Sequence, residues 1–118
     1  MIEHPKAEEL AQAVAGFLES IRSQLNPRDA FLARVAANAM GVIGRELAGG
    51  RAAEDAAAAR LSALLGREGA LTELNADLCA RLRAGEMDAA TPGLLSALRS
   101  NITDQIAIDQ PSYAPEPR

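Results

Sequence analysis

The chain has 118 residues with one cysteine, one histidine, one tyrosine and no tryptophan, and aromatic residues make up 3% of it. Each shortage excludes something. A lone Cys79 cannot form an intrachain disulfide, and it is expected to act as a small core residue. A lone histidine, His4, close to the start of the chain, leaves no base and orienter for a nucleophile. It also leaves no cluster of histidine, cysteine and carboxylate ligands for a metal. No cofactor is expected. Basic residues number 12 against 16 acidic ones, for a net charge of −4. This balance excludes the basic stripe with which proteins neutralise nucleic-acid phosphates. The absence of any Lys/Arg run argues against an anionic membrane surface. No apolar stretch reaches the roughly 18 residues of a membrane span. The opening segment MIEHPKAEEL is acidic and has no signal-peptide core. A cytoplasmic location is therefore expected.

The chain does have aliphatic side chains in abundance. Hydrophobic residues are 48% and charged residues 24%, a globular balance with length for one domain. A core without aromatics must be built from Leu, Ile, Val, Met and Ala. The periodicity predicts an all-α fold of about five helices in a compact, mainly antiparallel bundle. The first helix is expected over residues 5–25, with Leu10, Val14, Phe17, Leu18, Ile21 and Leu25 on its buried face. Asn26-Pro27 is a cap followed by a first-turn proline, which ends one helix and starts the next. The second helix runs over residues 27–48 and is apolar around roughly half its circumference. Gly49-Gly50 is expected to end it. Third, fourth and fifth helices follow over residues 52–65, 70–84 and 92–108. They bury Leu61, Leu64 and Leu65, then Leu71, Leu74, Leu78 and Leu82, then Leu95, Leu98, Ile102 and Ile106. Residues 1–110 form the domain, and the proline-rich residues 111–118 are expected to be a flexible tail. A domain this short buries only about two-thirds of its unfolded surface, so self-association into a homo-oligomer is expected.

Polar residues on or beside apolar faces are the candidates for function. Arg34, Asn38, Gly41 and Arg45 fall within about 60° of one another on the second helix. Two guanidinium forks recognise carboxylates or phosphates, and Gly41 would permit close approach. The plainer reading of this strip is a solvated face with intrachain ion pairs. Glu46 projects between Val35 and Ala39, and Asn75 falls among Leu71, Leu74 and Leu78. Both are expected to be buried polar residues with a structural role. Asp104 and Asp109 do not converge. The glycine pairs are not followed by the Lys-Ser/Thr of a phosphate loop. No catalytic residue is assigned.

Three segments together resemble a known family. FLARVAANAMGVIGRELAGG (31–50), LNADLCARLRAGEMD (74–88) and QIAIDQPSY (105–113) resemble a bacterial family of small helical proteins of unknown function. Gln105 and Gln110 stand where that family's pattern has Lys and Asn. The N-terminal AEELAQAVAGFLE also fits, so the resemblance covers roughly residues 5–113. The family is often encoded beside aminoglycoside-phosphotransferase-like kinases and acyl-CoA dehydrogenases. The resemblance thus implies no activity, but a helper role beside such an enzyme. The expected function is a non-enzymatic accessory or protein-interaction module. The alternative is a binder or enzyme for an acyl-CoA or phosphorylated ligand, using the polar strip of the second helix.

Overall fold

The computed structural model describes residues 3–113, and no strand occurs among them. Four α-helices carry the chain: α1 (Ala7–Ile21), α2 (Pro27–Leu65), α3 (Leu71–Arg83) and α4 (Leu94–Asp109). A short 3-10 turn, Arg22–Gln24, links α1 to α2. The start of α2 follows from its local chemistry. Asn26 Oδ1 accepts the backbone N–H of Asp29 at 2.9 Å, and its Nδ2 donates to Asp29 Oδ2 at 2.9 Å. Pro27 fills the first helical position, where a missing N–H costs nothing.

The helix count corrects the expectation of five. Gly49-Gly50 does not interrupt α2, which continues for 39 residues. A glycine that ends a helix does so by taking positive φ. Gly66 (φ 69°) after α2 and Gly85 (φ 77°) after α3 do this, whereas Gly49 and Gly50 do not. Each mid-helix glycine costs about 1 kcal/mol relative to alanine, and the six alanines among residues 52–59 offset it. After α3, Gly85 N–H donates to Leu82 O and Glu86 N–H to Arg81 O, the paired bonds that close a helix end. The start of α4 lies two residues beyond Pro92. Asp88 and Thr91 form a turn in which Asp88 N–H donates to Thr91 Oγ1 and Ala90 N–H to Asp88 Oδ1. Gly93, at φ 84°, completes it.

The chain divides into two compact units, and α2 contributes to both. The first comprises residues up to Gly50 together with Ile108–Gln110. Here α1 and the first part of α2 form a helical hairpin. A Cβ at Gly44 would lie 3.5 Å from Ala11 Cβ and Gln12 Cγ and 3.6 Å from Glu8 O. Residues 8–12 and 44 are nearly equidistant along the chain from the Asn26 turn, so the helices run antiparallel. The residues that α1 and this part of α2 bury are small, Ala11, Ala33, Ala37, Gly44 and Gly50, and Ile108 is buried with them.

The second unit spans Arg51–Ala107 and continues from Pro111. Its core is aliphatic: Leu61, Leu65, Leu74, Leu78, Met87 and Leu94, with Leu64, Leu71 and Leu98 packed against them. Leu61 and Leu74 are 0% exposed. Two ion clusters surround this core. Arg60 Nη1 meets Asn101 Oδ1 at 3.0 Å and Asp104 Oδ2 at 2.8 Å. Asp77 accepts two bonds from Arg81 at 3.1 and 3.2 Å and lies 3.6 Å from Arg67. Of the tail, Pro111–Tyr113 is exposed, and the rest lies outside the described residues.

Candidate interaction surface

The polar strip on α2 separates into two parts. Arg45 Nε donates to the carbonyl of Ile108 at 2.6 Å, within the first unit. That carbonyl belongs to the last turn of α4, where helix carbonyls lack intrahelical partners. The guanidinium reaches it by lying over Gly41, where a Cβ would come within 3.0 Å of Arg45 Nη1. Gly41 therefore makes room for a side chain of its own helix. Arg34 and Asn38 are exposed and make no side-chain bond among the described residues. The four residues share a face, but they do not converge on an anion site.

The two buried polar side chains expected from the sequence are both exposed. On α3 the packed face is centred on Leu74 and Leu78 and turns toward the half-buried Asp77 and Arg81. That rotation carries Asn75 and Cys79 out to solvent. Glu46 also lies outside, its carboxylate folded back over Gly50. His4 bonds Glu9 at 2.9 Å on the surface. No group of three or more His, Cys, Asp or Glu side chains is gathered for a metal ion among the described residues. No helix there is long and apolar enough to cross a membrane.

Apolar side chains make the more informative surface. Because small residues form the hairpin contact, the large ones lie outside it. Leu10, Val14 and Phe17 of α1, and Phe31, Leu32, Val35, Ile43 and Leu47 of α2, are all exposed; Phe17 and Phe31 reach 61% and 63%. Leu18 and Ile21, expected in the tightest core, are only half-buried. At about 100° per residue, Phe31, Leu32, Val35 and Ile43 lie some 100–180° around α2 from Gly44. With roughly 150–200 Å² per large side chain, about half exposed, these eight leave on the order of 700 Å² of apolar surface. The largest such patch on a typical monomer is about 300–600 Å². Sequence reasoning found the α1 stripe but assigned it inward. The alanines at four-residue spacing, Ala33, Ala37 and Ala11, Ala15, were the signal that a close contact lay elsewhere.

The second unit carries two smaller features. Leu95, Ile102, Ile106 and Tyr113 line a shallow groove of about 480 Å³ on the outer side of α4. Leu95 and Ile102, expected in the core, are exposed there, because Leu94 and Leu98 face the core instead. A second hollow of about 410 Å³ is lined by Arg60, Gly93, Ser96 and Ser100, but its arginine is already bound to Asn101 and Asp104.

These features describe a small all-helical protein whose most extensive candidate site is an apolar surface. Residues 23–113 match the family described as Domain of unknown function (DUF6285), and the chain belongs to that family. The match takes in α2, α3 and α4 and begins after α1. No curated protein and no solved structure gives a significant match to the chain.

Proposed function

We propose that this protein works by binding other protein surfaces rather than by catalysis, and that the apolar face of the α1–α2 hairpin is where it binds. The observation that carries this reading is the inversion of the hairpin. Alanine and glycine face inward, while eight large apolar side chains face water. Exposing that much apolar surface is unfavourable by about 25 cal/mol per Å², and a partner that covers it recovers the difference. A soluble accessory module of this kind, assembled as a helical bundle with its partner, also suits a helper of a kinase-like or acyl-CoA dehydrogenase-like enzyme. Ligand binding through Arg34, Asn38 and Glu46 has less support. Arg45 is engaged by Ile108, and Glu46 lies against Gly50.

The test is a double substitution on the exposed face, Phe31→Glu/Leu32→Glu. Circular dichroism should show the helical signal of the parent, since neither side chain is buried within the chain. Light scattering and cross-linking should show that association is lost. Loss of helicity in this variant would mean that the face belongs to the fold, and would end the interaction reading.

A further inference from the structure

The exposed face of α2 contains a regular seam. Arg28, Leu32, Val35, Ala39, Val42 and Glu46 follow one another at intervals of 4, 3, 4, 3 and 4 residues, the spacing of the core positions of a coiled coil. Five of the six are exposed, and Val42 is half-buried. The four inner residues are apolar. The two ends carry opposite charges, and neither Arg28 nor Glu46 forms an ion pair or side-chain hydrogen bond among the described residues. Phe31, Ile43 and Leu47 flank the seam and are exposed too.

We propose that a second copy of this chain covers this seam, with the two α2 helices antiparallel about a two-fold axis level with Ala37. The proposal rests on the interaction reading above and names its occupant. The register follows from the sequence. Two-fold symmetry requires that when residue i meets j, j meets i. An axis level with residue 37 sets Leu32 opposite Val42, and Val35 opposite Ala39, of the second copy. The same axis sets Phe31 beside Ile43. Each layer then pairs one core position of the heptad with the other, as antiparallel coiled coils do. Large residues meet smaller ones, so the layers can interdigitate. At both ends Arg28 meets Glu46 of the second copy. A parallel pair would place Arg28 against Arg28 and Glu46 against Glu46, a like-charge arrangement that disfavours that orientation.

The experiment is sedimentation equilibrium on the full chain and three variants. The parent should sediment at twice its 12.3 kDa chain mass. Arg28→Glu and Glu46→Arg each place like charges at both ends of the seam, and each should weaken the dimer at least about tenfold. The double variant Arg28→Glu/Glu46→Arg should restore the parent's dissociation constant. Both side chains are exposed, so circular dichroism should show all four proteins equally helical. A parent that stays monomeric to about 100 µM, weaker than any ordinary specific dimer, would overturn the second copy as occupant. It would leave the interaction reading standing if Phe31→Glu/Leu32→Glu still keeps its helicity. Single reversals without effect, or a double variant that fails to restore association, would overturn the antiparallel register.

Discussion

Arg45 shows how one side chain can resemble a binding residue and act as a structural one. Its guanidinium lies over Gly41 and supplies a donor to Ile108 O. A half-buried charge-assisted bond of this kind contributes more than an exposed ion pair does. Arg45→Gln should therefore lower the unfolding free energy by about 1–2 kcal/mol. Arg34→Gln, on the same strip but without a partner, should change it by less than about 0.5 kcal/mol. Urea melts of the two variants would check the difference, and equal effects would contradict it. The sequence placed both arginines on one face, correctly. It could not separate them, because the partner of Arg45 is a backbone carbonyl 63 residues away. Glu46 and Asn75 failed for a related reason. An apolar arc locates a face of a helix, but not whether another helix packs on it.

At the scale of the element, the caps were legible and the glycine pair was misleading. Asn26-Pro27, Gly66 and Gly85 act as their backbone chemistry predicts. Gly49-Gly50 reads as a stop only because a stop is what glycine most often supplies, and a long alanine-rich flank outweighs it. The two classes respond oppositely to alanine. Gly49 is helical with nothing within 4 Å of an added Cβ, so Gly49→Ala should stabilise by about 0.5–1 kcal/mol. Gly85→Ala, forced into positive φ, should destabilise by about 1–2 kcal/mol. Thermal melts with opposite signs would confirm that α2 is continuous. Packing gives a second contrast. Leu61→Ala and Leu74→Ala remove fully buried side chains and should cost roughly 2–4 kcal/mol each. Leu18→Ala and Ile21→Ala, at half-buried sites, should cost clearly less in the isolated chain. Denaturant midpoints at low protein concentration would rank them.

For the whole molecule, the sequence was sufficient for the all-α class and for the leucine core of the second unit, where periodicity and burial agree at Leu61, Leu65, Leu74 and Leu78. It was insufficient for the hairpin, where large side chains form the visible pattern and small ones form the contact. That contact has a consequence for how the protein persists in solution. Ala11 against Gly44 offers little area, so α1 is held weakly by its own chain. Regions of this kind open first. A partner that covers Leu10, Val14 and Phe17 would stabilise the closed form by mass action, and more so as its concentration rises. Limited proteolysis of the protein alone should therefore cut α1 readily, while the turns around Leu61 and Leu74 resist. Cleavage of α1 no faster than cleavage around Leu61 and Leu74 would contradict this. A chain so built would register the abundance of its partner, since α1 is open to degradation where the partner is scarce and sheltered where it is plentiful.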